Sequence, residues 1–531
     1  MELSNGAKKL LTSYETWNRS LQPNGTAACI SVDDVAAKVA SFYEKIRGVV
    51  DWREEHLLRK TAIERIFKRR ILLNGNTAEM AEPLLIELIR GGHFPSGRIQ
   101  TSKIEEVQRV ISKYAFLIEN SKAYATRKEY SHLEQWLHGI GACEIEETLA
   151  PPLREKALIA FMSEDMEKSL QIRQRDAAKI SEEERKLQIF TGVQRALFKL
   201  DEATISLHVL ERFYPNWSNV SQGELSGISQ KLAQIISSID GILRHPLREK
   251  FYQIIERLDT PYLLLGDIIS DHPTNFSEIA GNPEQFEQAV SEAYDVRLKK
   301  LKSRMKRAAF FSTLSVFVSK VVVAMAIEIP VDTYITQEIN YGVLGWSIAI
   351  PPLFLLFLIT TKKSSSKDNV QKVLLAITKI TYENERMDAH EISLPAKRKS
   401  FISWIVRGTY LLSFLLSFGT LFIVLRNFHF SILSTAVFLL FLSLVSYAGM
   451  RIRQRTQELM IEEHKDGLFF TLLDFFILPV TQVGRWFSSQ LARYNVLVLL
   501  LNVLIETPFQ VFVEFIEQLR TFWREKKDQI Q

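Results

Sequence analysis

Cysteine is scarce in this sequence, and its scarcity excludes one class of fold. Cys29 and Cys143 are the only cysteines among 531 residues, whereas small secreted domains stabilised by disulfides contain them at much higher density. Glycine and proline are also sparse, at 22 and 16 residues, which excludes collagen-like and disordered low-complexity chains. The net charge is only +5. We therefore expect two small buried thiols and no nucleic-acid partner.

Motifs that bind cofactors or metals are missing as well. The sequence contains neither a G-x-x-x-x-G-K-[ST] phosphate loop nor a His-Glu-x-x-His zinc motif. His132, His138 and Cys143 lie close together in the sequence, but their spacing matches no zinc site. We predict no catalytic, cofactor-binding or metal-binding residues, and this favours a protein that is not an enzyme.

The first 300 residues lack both a secretory signal and the alternating pattern of strands. The N-terminus has no basic or apolar signal region, so we expect this part to stay in the cytosol. Apolar residues recur at steps of three and four, as at Val39, Phe42 and Ile46, which is typical of helices. We predict a cytosolic all-helical region over 1–300, with an internal boundary near Pro151-Pro152.

The stretch 51–70 is predicted to form a basic amphipathic helix. Its seven basic residues are Arg53, Arg59, Lys60, Arg65, Lys68, Arg69 and Arg70, against four acidic residues. Such a helix can contact anionic lipid headgroups or an acidic partner. The simpler interpretation, which we favour, is a solvated helix face with internal i, i+4 ion pairs such as Glu55–Arg59 and Glu64–Lys68.

Long apolar segments are confined to the second half of the chain. Crossing a hydrocarbon layer of about 30 Å takes about 20 helical residues. Four segments approach or reach that length, at 308–327, 342–360, 408–425 and 430–450. The predicted fold class is therefore all-α. A large cytosolic helical region is followed by a bundle of about four transmembrane helices and a C-terminal amphipathic helical tail.

The segments around these spans complete the predicted domain plan. Two transmembrane hairpins, 301–360 and 408–450, are joined by a basic cytosolic linker, 361–407. The final part, 451–531, is predicted to be an amphipathic tail on the cytosolic side. Within this tail, 467–480 is too short to cross a membrane and should end at Pro479. Packing at the membrane surface or on the bundle is therefore favoured over a fifth, broken span.

Basic residues determine the predicted orientation of the spans. Seven Lys or Arg residues precede the first span between 297 and 307, whereas the loop 328–341 contains none. The linker 361–407 and the residues after the fourth span are also basic, and the turn 426–429 has a single Arg. The positive-inside rule places the N-terminus, the linker and the C-terminus in the cytoplasm.

Two charged residues at the first span are candidates for an intramembrane site. A lysine at the depth of Lys320 is costly unless it reaches the interface or finds a partner. Glu328 follows after eight residues, or about 12 Å of α-helix, which is too far for a direct pair without a break in the helix. The pair can be interpreted as part of an ion or proton relay. We favour either a lysine that extends to the interface or a packing anchor, because a relay needs further partners.

Several motifs together carry a family resemblance. They are the stretch Asp51-Trp52-Arg53-Glu54-Glu55-His56 with its continuation to Arg65, Glu328-Ile329-Pro330, Asn340-Tyr341, Pro351-Pro352, and Phe475-Phe476-Ile477-Leu478-Pro479-Val480 with Gly484-Arg485-Trp486. In this order they resemble a family of uncharacterised multi-pass membrane proteins from reduced-genome bacteria of the candidate phyla radiation. The resemblance implies a multi-pass protein of a bacterial cytoplasmic membrane, and it supplies no catalytic residue.

Three functions remain open from the sequence, which are a membrane-anchored scaffold, a subunit of a transporter or channel, and a membrane enzyme. The first is a membrane-anchored scaffold that binds protein partners through its cytosolic half and contacts the lipid bilayer through its spans. The alternative is a subunit of a transporter or channel that uses Lys320, Glu328 and a kink at Pro351-Pro352. We favour the scaffold, because more than half of the chain is predicted to be cytosolic helix.

Overall fold

Helices dominate the described part of the chain. The computed structural model describes residues 2–21, 28–31, 55–73, 79–124, 126–173, 180–336, 340–360, 367–383, 390–392, 400–455 and 468–494. Within these residues the only strands are two segments of three residues each, so the predicted all-α class is confirmed. The chain divides into two compact units.

The first unit, which we call the helical unit, takes its described residues from Asn5–Asp259 and Glu385–Ile392. Its helices are α1 (Asn5–Ser20), α2 (Glu55–Leu73), α3 (Ala81–Arg90), α4 (Ser102–Ser121), α5 (Arg127–Leu149), α6 (Leu153–Ser169), α7 (Glu182–Phe198), α8 (Glu202–Phe213), α9 (Gln222–Leu243) and α10 (Arg248–Arg257). Helix α5 packs against α2, α4 and α8. Its buried residues, such as Leu137, Ile140 and Ile145, therefore lie in the main core.

Local sequence signals fix where several of these helices begin. Thr126 and Glu129 form a reciprocal capping box at the start of α5. Ser181 with Glu184 and Ser221 with Glu224 do the same for α7 and α9. Each box satisfies backbone N–H groups that have no partner inside the helix.

A charged pair lies inside the core of the helical unit. The Lys113 ammonium is 2.5 Å from Oε1 of Glu144 and 2.9 Å from the carbonyl oxygen of Trp217. The Tyr114 hydroxyl and the Trp217 indole N–H both donate to Oε2 of Glu144, at 2.6 and 3.0 Å. Burial lowers the pKa of Lys113, which Glu144 partly offsets, and burial raises the pKa of Tyr114. Because each charge has several partners, the pair is tolerated in the core.

The two cysteines differ in their surroundings. Cys143 is buried in α5, as expected, and burial raises the pKa of its thiol. Cys29 is exposed, so the expectation of a second buried thiol is wrong. Its backbone forms an isolated antiparallel bridge with Gln100, which places it in an irregular surface segment rather than in the helical core.

The linker between the second and third spans adds a strand to the helical unit. Strand β1 (Leu170–Ile172) pairs in parallel with β2 (His390–Ile392), in the register Leu170↔His390. Nε of Arg173 is 3.1 Å from the carboxylate of Glu391 just beyond this pair. Three residues are too few to show the alternating pattern from which strands are predicted.

The second unit, which we call the membrane unit, takes its described residues from Met1–Ser4, Thr260–Asn384 and Ser393–Leu499. Its helices are α11 (Thr260–Asp271), α12 (Phe276–Gly281), α13 (Pro283–Val323), α14 (Tyr341–Thr360), α15 (Lys367–Tyr382), α16 (Ser400–Asn427), α17 (Ile432–Arg455) and α18 (Leu468–Tyr494). Among the described residues, four helices are long and apolar enough to cross a membrane, over Pro283–Tyr334, Tyr341–Ile359, Trp404–Asn427 and Ile432–Ile452. These ranges contain the apolar cores of the four segments predicted from the sequence.

Helix α13 is much longer than its apolar segment. It begins at Pro283, where Asn282 accepts hydrogen bonds from the first backbone N–H groups, the usual arrangement for a proline in the first turn. After Val323 the helix continues through two π-helical segments, Ala324–Glu328 and Asp332–Thr336. The segment predicted to be a loop from residue 328 is therefore helical as far as residue 336.

Shorter helices pack on the charged first half of α13. Helices α11, α12 and α15 contact it, and Nδ2 of Asn369 in α15 donates to the Tyr294 hydroxyl at 3.0 Å. The Tyr382 hydroxyl donates to the carbonyl oxygen of Ala280 at 2.7 Å. The basic linker predicted over 361–407 thus contains a helix with its own docking contacts.

Helix α18 differs most from expectation, because Pro479 lies inside it instead of ending it. A proline removes the hydrogen bond to the carbonyl four residues earlier, here that of Phe475. The Ser413 hydroxyl of α16 donates to this carbonyl at 2.8 Å, and the Ser417 hydroxyl donates to that of Phe476 at 2.9 Å. Ser413 and Ser417 lie near the middle of the third candidate span, so this part of α18 packs against the middle of that span.

Helix α18 also packs closely on α17, the fourth span. A Cβ added at Gly484 would overlap the carbonyl of Ser443, and it would lie 3.0 Å from Cβ of Tyr447. Small residues allow such close approach between helices in membranes. The middle of α18 is therefore held between the third and fourth spans.

We expect Ser413→Ala to destabilise the detergent-solubilised chain by roughly 1 kcal/mol, because the Phe475 carbonyl loses its donor. Pro479→Ala restores the backbone N–H at 479, so the same serine change should cost less in that background. A double-mutant cycle followed by thermal unfolding measures the difference. Thr409→Val, on an exposed part of the same helix, is the control. An equal cost of Ser413→Ala in both backgrounds would contradict the pairing.

Candidate functional site

The two charged residues predicted to form an intramembrane site lie together. The Lys320 ammonium donates to Oε1 of Glu328, and both side chains are 0 % exposed. Eight residues of regular α-helix would hold the two side chains too far apart for this contact. They meet because the winding of the helix changes between them.

The π-helical segment Ala324–Glu328 is that change in winding. A π turn closes i→i+5 hydrogen bonds and therefore holds one residue more than an α turn. The extra residue rotates the following side chains to a different face, and it shortens the helix relative to an α-helix of the same number of residues. Both effects bring Glu328 towards Lys320. Such segments often occur at functional sites.

Two neighbouring helices complete the surroundings of this ion pair. The Ser347 hydroxyl of α14 lies 3.5 Å from Oε2 of Glu328, the second carboxylate oxygen. The Phe441 ring of α17 lies under the Lys320 ammonium, with its centroid 5.4 Å from Nζ, which is a cation–π distance. Helices α13, α14 and α17 pack against one another, so the pair lies at a three-helix junction.

The arrangement of the site favours an anchor over a relay. Oε1 of Glu328 is bound by Lys320 and Oε2 is approached by Ser347, which is itself 0 % exposed. The two charges therefore neutralise each other in a closed contact shielded from water. Breaking such a contact leaves a charge in an apolar environment, which is strongly unfavourable.

Sequence reasoning missed Ser347 and Phe441 as members of the site. A serine and a phenylalanine are ordinary residues in a membrane span, and neither carries a pattern that points to Lys320. Pro351 and Pro352, the other candidates in this region, lie inside α14 and are buried.

The seven basic residues predicted over 51–70 fall mainly on α2, and several of them form ion pairs within the helical unit. Arg59 contacts Glu146 at 2.8 Å, Lys60 contacts Asp201, and Arg69 and Arg70 both contact Glu87, Arg70 at 3.0 Å. Lys68 is exposed and Arg65 is half-buried, whereas Arg53 lies outside the described residues.

These ion pairs join α2 to other helices. Within α2, Glu64 pairs with Lys60 at 3.8 Å and not with Lys68 as predicted, whereas the side chain of Glu55, predicted to pair with Arg59, lies outside the described residues. The shorter contacts reach residues far away in sequence. Four basic side chains that would attract an anionic surface are therefore compensated by carboxylates of the same unit. Their contacts favour a structural role, and binding of lipid or of an acidic partner stays a prediction.

The pKa of the Glu146 carboxyl is unusually high because this group is buried in the packing. Burial raises the pKa of its carboxyl to about 7, although Arg59 acts in the opposite direction. Because its unfolded pKa is near 4.5, the folded state binds more protons between these two values. The group titrates close to neutral pH, whereas an exposed glutamate would already be ionised.

A triad of potential metal ligands lies close by in the helical unit. Donor atoms of Glu147, His208 and Glu211 fall within 4.8 Å of one another. The Lys156 ammonium bridges the two carboxylates, at 2.6 Å from Glu147 and 3.1 Å from Glu211. His208 contacts Glu147 through Nε2 at 2.7 Å and Gln194 through Nδ1 at 2.6 Å. The lysine already supplies a positive charge between the carboxylates.

Comparison with known proteins adds no assignment to these sites. No protein family, curated protein or solved structure matches the chain. The resemblance to membrane proteins of reduced-genome bacteria therefore stays a prediction.

We expect Lys320→Met and Glu328→Gln each to destabilise the membrane unit by roughly 3–5 kcal/mol, because each leaves one partner unpaired. The double variant Lys320→Met/Glu328→Met should recover most of the loss. Thermal unfolding and the yield of monodisperse protein in detergent measure the effect. Lys299→Met, an exposed change on the same helix, serves as the control. Single variants as stable as the parent chain would refute the anchor.

We also expect Glu146→Gln to change how stability depends on pH. Since the folded pKa of Glu146 is raised, its contribution to stability is greatest below about pH 4.5 and is lost as the pH rises towards 7. The variant should lack this loss, which amounts to roughly 1–3 kcal/mol. Urea unfolding of the full chain in detergent at pH 5 and pH 8 tests it. Glu119→Gln, at an exposed site, should follow the parent chain.

Proposed function

We propose that the protein is a membrane-anchored scaffold, in which the helical unit binds protein partners and the membrane unit holds it at a lipid bilayer. The observation that carries the proposal is the division of the chain into a helical unit with its own core and a separate unit that contains all four apolar helices. This division is what an anchored interaction module requires, since each unit can bury its own apolar residues.

The closed ion pair supports the anchoring role of the membrane unit. A relay needs a series of groups that exchange protons or ions, but Lys320 and Glu328 bind each other in a buried contact. Their pairing selects one packing of α13 against α14 and α17. A fixed packing is useful to an anchor, whereas an alternating-access carrier requires two arrangements.

The proposal includes an orientation and a location. The basic residues of α13, such as Lys299 and Lys300, are exposed before the apolar half of the helix, and Tyr334 is exposed beyond it. With lysine and arginine retained in the cytoplasm, the N-terminus and the helical unit lie inside a bacterial cell and Tyr334 lies outside. The membrane is then the cytoplasmic membrane.

Proximity labelling in intact cells tests the role and the orientation together. A labelling enzyme fused to the N-terminus should mark a reproducible set of cytosolic proteins, because the helical unit holds its partners nearby. The same enzyme inserted after Tyr334 is the matched control, and it should mark none of them. An unrelated four-span protein carrying the enzyme at its cytosolic N-terminus removes general membrane neighbours.

Two outcomes would contradict the proposal. Marking of cytosolic proteins by the enzyme after Tyr334 would reverse the orientation. A set of labelled proteins identical to that of the unrelated membrane protein would contradict the scaffold role. The alternative function as a subunit of a transporter or channel would instead be supported by solute flux through vesicles that Glu328→Gln abolishes while the protein stays folded.

A further inference from the structure

A large apolar cavity lies inside the membrane unit. Its volume is about 890 Å³, and it is bounded by α14, α16, α17 and α18. The wall includes Trp346, Phe354, Leu421, Phe438 and Ile477, and most of the other lining side chains are apolar too. The polar lining residues are Asn340, Ser417, Thr420 and Ser446. A volume of this size is typical of cavities that hold small molecules, roughly 300–1,000 Å³.

The cavity opens near one end of the bundle. Trp346 lies near the start of α14, Phe428 directly follows α16, and Phe438 lies in the early part of α17, so all three belong to the same end of the bundle. Trp346 and Phe428 are 63 % and 66 % exposed. Large apolar side chains therefore form a mouth that faces the surroundings of the bundle.

The surroundings of these helices determine what fills the cavity. Water does not stably occupy an apolar space without several polar partners, and an empty space forfeits the dispersion contacts of its walls. At this depth the neighbouring fluid is the hydrocarbon of lipid chains. An acyl chain that enters through the mouth makes dispersion contacts with the walls and needs no polar partner inside.

The mouth also carries positive charge. Arg426, which supplies this charge, is exposed in the turn between α16 and α17, next to the lining residues Leu425 and Phe428. The Arg426 guanidinium donates to the carbonyl oxygen of Phe430 at 3.0 Å, which holds it beside the opening. A guanidinium pairs well with the phosphate of a lipid headgroup, and basic sites between membrane helices bind anionic lipids.

We propose that this cavity is a binding site for one acyl chain of an anionic phospholipid, with the headgroup phosphate at Arg426. The site requires the four apolar helices to lie in a bilayer, and it does not depend on the scaffold role. The lipid would complete the packing between α14, α16, α17 and α18. Filling the space would stabilise the bundle and would tie its stability to the lipid composition of that leaflet.

Trp346 supplies a direct probe of the site. The full chain is reconstituted in phosphatidylcholine vesicles with increasing fractions of phosphatidylglycerol that carries bromine on an acyl chain. Quenching that is specific to Trp346 is the difference between the parent chain and Trp346→Phe. It should saturate at a low fraction of the brominated anionic lipid, and it should need about fivefold more of brominated phosphatidylcholine.

Two variants separate the site from ordinary contact with the bilayer. Thr420→Phe places a ring in the cavity and should abolish the saturable quenching, whereas Ile423→Phe, on the lipid-facing side of the same helix, should retain it. Arg426→Gln should remove the preference for the anionic lipid while leaving the cavity intact. This second variant keeps the test informative if Thr420→Phe fails to fold.

The contrary results are distinct. Quenching of Trp346 that rises in proportion to the brominated lipid, equally for both headgroups, would show general bilayer contact and overturn the proposal. No quenching by either lipid would show that a protein segment covers Trp346, which also overturns it. If proximity labelling marks no specific cytosolic proteins, the scaffold role is contradicted, but the proposed lipid site is not.

Discussion

The packing of the membrane unit depends on one electrostatic constraint, which is that an ammonium and a carboxylate within an apolar helix must meet. Neither Lys320 nor Glu328 touches solvent, and either charge alone would be costly there. The π-helical segment between them makes the contact possible. Ser347 and Phe441 then determine which faces of α14 and α17 pack on α13.

The need of a polar group in an apolar environment for a partner also explains how α18 accommodates Pro479. Where lipid replaces water, a backbone carbonyl without a partner must be satisfied by the protein itself. The hydroxyls of Ser413 and Ser417 do this for the carbonyls of Phe475 and Phe476. Pro479, which predicts the end of a helix, therefore lies within a helix of 27 residues. The carbonyl that it leaves without a backbone donor forms a specific contact with the third span.

The helical unit solves a comparable problem with charge pairs. Lys113 and Glu144 are buried together, and Arg59 and Lys60 bind carboxylates on other helices. Basic residues that resembled a surface for anionic lipid thus contribute to joining the helices of the unit. The cavity of the membrane unit is the opposite case, since its walls are mainly apolar and its proposed occupant comes from the bilayer.

The sequence by itself determined the helical class and the four apolar spans, because both follow from the local periodicity and the length of apolar runs. It also determined several helix starts, such as the capping box at Thr126. Only the tertiary structure decided that Lys320 reaches Glu328, that Pro479 lies within α18 and that Arg59 binds Glu146. Those contacts depend on the winding of a helix or on residues distant in the chain, and local patterns carry no information about either.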